Sequence, residues 1–285
     1  MTTVLILGAS GMLGSAMLRV FSESEGHRAL GTVRSARALK LLPERLHASL
    51  IVGVDVENFD SLSRAIGWAR PNVVVNCIGV VKQVAGSDDP LDAVPINSLL
   101  PHRLARLCEL ASARLVHIST DCVFSGQRGR YTEDDFADAN DVYGRSKFLG
   151  EVDYSNAITL RTSIIGHELE GARSLISWFL AQPGPIKGFT RAIFSGLPTN
   201  ELARVIRDFV VPHRELRGTY HVSAEPISKF DLLSLVATAY GKNISIVPDA
   251  SLVIDRSLIG ERFYNATGYS SESWIKLIQS MRDFN

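Results

Sequence analysis

The stretch DVYGRSKFLGE, residues 141–151, sets a tyrosine and a lysine four positions apart in a helical pattern. One turn of helix brings Tyr143 and Lys147 onto the same face. An ammonium held that close favours the phenolate and should draw the Tyr143 phenol below its ordinary pKa of about 10, so that it can give and take a proton near neutral pH. Alone, YxxxK also describes a half-exposed tyrosine beside a solvated lysine. Its meaning depends on what else the chain places nearby.

GASGMLG puts Gly8, Gly11 and Gly14 between the apolar run VLIL and the helical pattern that follows. Glycines at a strand–turn–helix junction allow a tight turn and let backbone approach a pyrophosphate seated on the helix N-terminus. The spacing is GxxGxxG rather than GxGxxG, yet the junction context points to a dinucleotide. An NAD site normally carries an acid about 20 positions further on, for the ribose 2′-hydroxyl. Arg34 stands there instead, and no Asp or Glu lies between Gly26 and Pro43. A guanidinium suits a 2′-phosphate, so the expected cofactor is NADP(H), with Arg37 either a second contact or a solvated charge. Asp55, after the third apolar run, reads equally as an acceptor for an adenine amino group or as a helix N-terminal acid. Gly79 lies where backbone must pass a cofactor, or simply in a turn.

HISTDCVFSG places Ser119, Thr120 and Asp121 at the end of another apolar run. In open parallel sheets, ligands bind outside the carboxyl ends of the strands. There Thr120 would hydrogen-bond a substrate carbonyl oxygen, Tyr143 would hand it a proton as hydride arrives, and Lys147 would hold the nicotinamide ribose. The three together are far more specific than any one of them.

The elements that must position these residues alternate. Apolar runs VLILG, HRALGTV, ASLIVGVDV, PNVVVNCIG, RLVHIST and AITLRTSII are separated by the helical patterns GMLGSAMLRVFSES, DSLSRAIGWA, NSLLPHRLARLCELA and YGRSKFLGEVD. Runs that are apolar throughout indicate parallel strands covered on both faces, and repeated βα units give an α/β doubly wound sheet. Pro101 is tolerable in the first turn of its helix. Past residue 165 the pattern loosens; PTNELARVIRDFVV then reads as helix, GTYHVSA as a returning strand, and the tail as mostly helical. The expected division is a nucleotide-binding part, 1–165 and 196–223, interleaved with a smaller lobe, 166–195 and 224–285.

The bulk composition excludes several classes. The chain has 285 residues, 46% hydrophobic and 21% charged, with 30 basic and 30 acidic side chains, which argues against a nucleic-acid binder. Cys77, Cys108 and Cys122 are odd in number and scattered, and no HExxH is present, so neither disulfides nor a metal is expected. MTTVLILG lacks a basic lead, and the VVVNCIGVV run is too short to span a bilayer, so a reducing cytoplasm and no membrane partner are expected.

The motifs GASGMLG, STDCVFSG, YGRSKFLGE, LRTSIIG and GLPTNELARVI together make the chain resemble the extended short-chain dehydrogenase/reductase superfamily (a Rossmann fold with a C-terminal substrate lobe) over nearly its whole length. Within it the chain is similar to the dTDP-4-dehydrorhamnose reductase type. The resemblance implies Thr120, Tyr143 and Lys147 as the catalytic set. It also implies Gly8, Ser10, Gly11, Met12, Leu13, Asp55, Val56, Ile78, Gly79 and Val80 as cofactor contacts beside Arg34, Tyr143 and Lys147, with Ile164 near the nicotinamide amide. The implied reaction is NADPH-dependent reduction of a nucleotide-linked 4-keto-6-deoxy sugar in cell-surface glycan biosynthesis, with Lys82, Lys187 and Arg191 as candidate substrate contacts and a homodimer as the family's usual state.

Two departures keep alternatives open. Relatives typically have STDYVF, whereas Cys122 stands here; GDP-fucose synthases carry a cysteine two residues after the catalytic hydroxyl, with a histidine partner for which His167 is the nearest candidate. Cys122 is therefore either a small apolar filler or a proton-transfer residue of an epimerase/reductase. NCIGVVKQVAGSDDP also departs from the family's usual stretch, which bears on the substrate more than on the reaction. A sugar-nucleotide epimerase and a non-catalytic NADP-binding regulatory subunit, like that of methionine adenosyltransferase, remain competing readings. The cofactor assignment makes a direct prediction: Arg34→Asp should weaken NADPH about 10- to 100-fold, the scale of one charge-assisted hydrogen bond. NADH should be little affected, and fluorescence titration of both cofactors checks it.

Overall fold

Val4, Leu5, Ile6 and Leu7 are all buried, so the strand they form must be covered on both faces. The computed structural model, which describes residues 1–80 and 88–285, does this with a seven-stranded sheet. The chain runs β1 (Thr2–Leu7), α1 (Met12–Ser22), β2 (His27–Val33), β3 (Leu50–Val52), α2 (Phe59–Ala69) and β4 (Val73–Asn76). It continues through α3 (Pro90–Ala93), a π-helical turn (Val94–Leu99) and α4 (Leu100–Leu110) to β5 (Arg114–Thr120), α5 (Val142–Leu149) and β6 (Ala157–Thr162). Then come β7 (Ile164–Ile165), α6 (Leu175–Ala181), β8 (Ile186–Phe189), β9 (Ala192–Phe194), β10 (Leu197–Pro198) and α7 (Thr199–Val205). The chain closes with β11 (Gly218–His221), β12 (Ile227–Ser228), α8 (Lys229–Tyr240), β13 (Ile246–Asp249), β14 (Ile254–Asp255), α9 (Glu261–Thr267) and α10 (Trp274–Phe284).

The large sheet has the order β3-β2-β1-β4-β5-β6-β11 and is parallel throughout. This is the doubly wound α/β fold, and its strand order reverses between β1 and β4, where a ligand crevice opens at the carboxyl ends. GTYHVSA enters the sheet as β11, beside β6. Alternation along β1 sorts the core into two layers. Val4 and Ile6 join Met17, Leu18 and Phe21 of α1 on one face, and Leu5 and Leu7 join Leu62, Ile66, Leu104 and Cys108 on the other. The first layer continues through Leu202 and Ile206 to Leu232, Leu277 and Ile278, so sheet and smaller lobe share one apolar cluster.

Three elements differ from the pattern. The third strand stops at Val52, because Gly53 turns at φ +85° and its N–H, with that of Val54, folds back onto Val33 O. Helical backbone begins at Pro90, well before the expected start at Asn97, and Pro101 lies inside it; the π turn just ahead widens the helix where proline lacks an N–H. Segment 166–195, expected to be irregular, supplies α6 and short strands. β8 pairs with β13 and β9 with β12 and β14, so distant segments complete them.

Gly14 shows how closely α1 approaches β1: a Cβ there would overlap Gly8 O and lie 2.7 Å from Gly8 C. Gly67, in the last turn of α2, has nothing within 4 Å of the same position. Gly14→Ala should therefore cost about 1–3 kcal/mol by overpacking. Gly67→Ala should instead gain roughly 0.5–1 kcal/mol from helix propensity. Urea unfolding of the two variants checks the opposite signs.

Candidate active site

The glycine turn builds one wall of the crevice. Gly8 adopts φ +83°, and a Cβ there would meet Ile78 Cγ1 at 2.8 Å, so only a glycine lets β1 and β4 end this close together. Gly11 caps α1 without a side-chain bond, and the first turn carries no acid. Ser15 N–H bonds Gly11 O at 2.9 Å. Gly11 N–H is taken by Gly8 O at 3.0 Å, and the N–H groups of Met12, Leu13 and Gly14 in the first turn of α1 are left for an anion, reinforced by the helix dipole. These features fit a dinucleotide pyrophosphate. Ser10, Gly11 and Met12 reach the surface while Leu13 packs inward. Arg34 is exposed directly after β2, which Ala9 N–H joins at Thr32 O. Arg37 is paired with Glu170 at 2.7 Å. Asp55 is not a helix cap, since Asn58 caps α2; its Oδ1 accepts from Glu57 N–H at 3.1 Å. Val56 and Ile78 pack against the second core layer, and Ile164 against the first.

The opposite wall is the end of β5 with α5. Asp141 accepts from Gly144 N–H at 2.7 Å and starts α5. A Cβ on Gly144 would overlap Cys122 O, so glycine at this position lets the helix lie directly on the loop that follows Thr120. Thr120 Oγ1 accepts from Cys122 N–H at 3.1 Å and donates to Asp121 Oδ1 at 3.2 Å, and Tyr143 enters at the start of α5 beside it. Lys147 is buried, and its Nζ donates to Ile118 O at 2.7 Å. The Gly79 Cβ position is 3.9 Å from Lys147 Nζ and 3.3 Å from Asn97 Oδ1. Gly8, Ile78, Gly79, Lys147, Tyr143 and Thr120 thus follow one another along the carboxyl ends of β1, β4 and β5.

Asn97 carries no sequence signal of its own. It is buried in the π turn, where Oδ1 accepts from Val80 N–H at 2.9 Å and Nδ2 donates to Val80 O at 3.1 Å and Ser146 Oγ at 3.2 Å. It ties the end of β4 to α5. Ser98 Oγ donates to Ser146 O at 2.8 Å, and a Cβ on Gly150 would overlap Asn97 O. Only the π turn, which periodicity does not reveal, brings Asn97 there.

Burial rather than Lys147 sets the phenol's acidity. The Tyr143 pKa is raised, chiefly by desolvation and then by Cys122, with the Thr120 hydroxyl opposing. This corrects the expected lowering: Lys147 is itself pushed down to about 8 by burial and directs its ammonium at a backbone carbonyl. Tyr143 is therefore fully protonated at neutral pH, the form that donates. Cys122 is pushed up to about 12 by burial and Asp121, so it stays a neutral thiol. His167 Nε2 is hydrogen-bonded to the Tyr240 hydroxyl of α8 at 2.7 Å, and no contact links His167 to Cys122 among the described residues.

Lys187 pairs with Asp249 at 3.1 Å across β8 and β13, and Arg191 is exposed between β8 and β9. Neither touches Thr120, Tyr143 or Lys147 among the described residues. Lys82 lies outside the described residues. Among those described, no His, Cys, Asp and Glu cluster could hold a metal, and no helix is long and apolar enough to cross a membrane.

Behind the site, His221 is held down to about 3 by burial and Arg161, and His117 well below its ordinary value by burial and Lys147. Both are neutral when folded but take a proton when unfolded below about pH 6.5, so their contribution is present above that pH and lost on acidification. Between about pH 6.5 and 4, stability should fall by up to about 1.4 kcal/mol per pH unit for each. His221→Gln should flatten that slope in urea unfolding.

Among known proteins, the RmlD substrate binding domain matches residues 1–251. A probable low-salt glycan biosynthesis reductase of Haloferax volcanii is 24% identical over 262 residues, covering 88% of this chain and 84% of its own. The methionine adenosyltransferase 2 subunit beta of Danio rerio is 28% identical over 251 residues, covering 83% and 73%. The crystal structure of dTDP-4-dehydrorhamnose reductase from Bacillus anthracis, in complex with NADP, superposes with a TM-score of 0.80 at 21% identity over 100% of this chain and 98% of that one. The match, which spans both the glycine turn and the Thr120, Tyr143 and Lys147 set, places this chain in the RmlD substrate binding domain family.

Proposed function

We propose that the chain is an NADPH-dependent reductase of a nucleotide-linked 4-keto-6-deoxy sugar, serving glycan biosynthesis in a reducing cytoplasm. The single observation that carries this reading is that buried Lys147, one helical turn from Tyr143 on α5, is bonded to Ile118 O of β5, the strand that ends in Thr120, beside Gly79 at the sheet's switch point. Residues 1–165 and 196–223 would hold the cofactor, with its pyrophosphate on Gly11, Met12 and Leu13 and its 2′-phosphate at Arg34. Segments 166–195 and 224–285 would hold the nucleotide. When bound, reduced nicotinamide supplies a hydride to the keto carbon.

The chain's own residues manage the oxygen. Thr120 Oγ1 orients the keto oxygen, and the Tyr143 hydroxyl donates its proton to that oxygen as negative charge develops there, leaving a secondary alcohol. A phenol kept protonated by burial is suited to this direction. Lys147, close to Gly79, supplies positive charge and holds the ribose. Names of relatives, the Haloferax volcanii reductase and the Bacillus anthracis enzyme with NADP, support the class of reaction.

A second reading has its own support: the Danio rerio relative is a subunit of a different enzyme. A regulatory subunit would bind NADPH without turning over any sugar. The epimerase reading loses support because Cys122 is a neutral thiol and His167 is bonded to Tyr240. Incubation with NADPH and a panel of 4-keto-6-deoxy nucleotide sugars, followed by absorbance and product analysis, separates the three. Tyr143→Phe should lower turnover about 10²- to 10⁴-fold, the range of general-acid catalysis, with NADPH binding retained. Cofactor binding with no consumption on any sugar would favour the regulatory reading, and inversion without consumption the epimerase.

A further inference from the structure

Glu151, four residues beyond Lys147, lies where three strands of the sheet end. Its side chain is buried with that of Arg161 on β6. Oε1 accepts from Ser119 Oγ at 2.7 Å and from Arg161 Nε at 2.8 Å, and Oε2 accepts from Arg161 Nη2 at 2.7 Å. Arg161 Nη1 in turn meets His221 Nε2 at 3.3 Å, and His221 Nδ1 reaches Tyr131 O at 3.1 Å. Since His221 is neutral, Nε2 accepts from the guanidinium and Nδ1–H donates to the carbonyl. The network runs unbroken across β5, β6 and β11.

We propose that Glu151 is the positioning residue of this site: through Ser119 it fixes the strand end that carries Thr120, and its charge keeps the buried Lys147 an ammonium. This rests on the reading of Thr120, Tyr143 and Lys147 as the reacting set. Lys147 is faced by Tyr143 one turn back on α5, by His117 on β5, by the neutral Asn97 and Gly79 across the crevice, and by Glu151. Tyr143 and His117 are uncharged at neutral pH, so they offer no counter-charge. Glu151 and Lys147 reach adjacent residues at the end of β5, the carboxylate at Ser119 Oγ and the ammonium at Ile118 O, so the carboxylate is the negative charge that opposes the desolvation of Lys147. Removing the carboxylate would also leave the Arg161 guanidinium buried without its anion, and both changes disfavour the ammonium.

The test has two arms. In the first, lysine labelled with ¹³C at the ε-carbon is titrated by NMR without any sugar, with Lys147→Arg assigning the signal. Glu151→Gln should lower the Lys147 midpoint below that of the parent by about one pH unit, the scale of a single nearby charge. Glu151→Asp, which keeps the charge, should stay close to the parent. In the second arm, Ser119→Ala should leave the midpoint and KM unchanged but lower kcat about tenfold, a transition-state loss rather than a folding one. An unchanged midpoint in folded Glu151→Gln, or parental kcat in Ser119→Ala, would overturn the proposal. If Glu151→Gln does not fold, the kcat of Ser119→Ala decides. A parent protein that turns over no sugar would sink the proposed reaction, and the titration would then decide the role of Glu151.

Discussion

The close approach of α5 to the carboxyl end of β5 is the contact on which the rest of the site depends. Gly144 lets the first turn of α5 rest on Cys122 O, and Gly150 lets its last turn rest on Asn97 O. Between these two contacts the helix has little freedom to slide. Tyr143 therefore stays beside Thr120 and Lys147 against Ile118 O and Gly79. Missing methyl groups, rather than attractive side chains, set this distance.

Electrostatics follows from that packing. A half-buried phenol, a half-buried thiol and a buried ammonium meet here, and desolvation drives each towards its neutral form: Tyr143 and Cys122 upward, Lys147 downward. Charge survives where it is paired. The Glu151–Arg161 pair is bidentate and buried, with Ser119 donating to the carboxylate and His221 accepting from the guanidinium. Such a pair is costly to break and contributes modestly to stability, but it holds three strands in fixed register.

The cofactor side relies on backbone instead. Gly8 and Gly14 thin the β1–α1 junction, and the first-turn N–H groups of α1 are left for an anion. Both walls grow from one sheet, so the glycine turn and the Thr120 hydroxyl are fixed relative to each other by β1, β4 and β5. The smaller lobe joins through the apolar cluster that α1 shares with α7 and α10.

Much of this is legible in the sequence. Apolar runs mark β1, β2, β4, β5 and β6, and glycine spacing marks the turn, because both are local signals: burial on two faces and backbone that must accept φ +83° at Gly8. The Tyr143–Lys147 spacing identifies one helical face for the same reason. Asn97 is not legible, because its place depends on a π turn and on contacts to Val80 and Ser146 far along the chain. The short strands of the smaller lobe are not either, since each exists only through a partner such as β8 with β13. Spacing points to the wrong sign for the Tyr143 shift, because it reveals which charge is near, whereas only the tertiary structure decides how much water is removed.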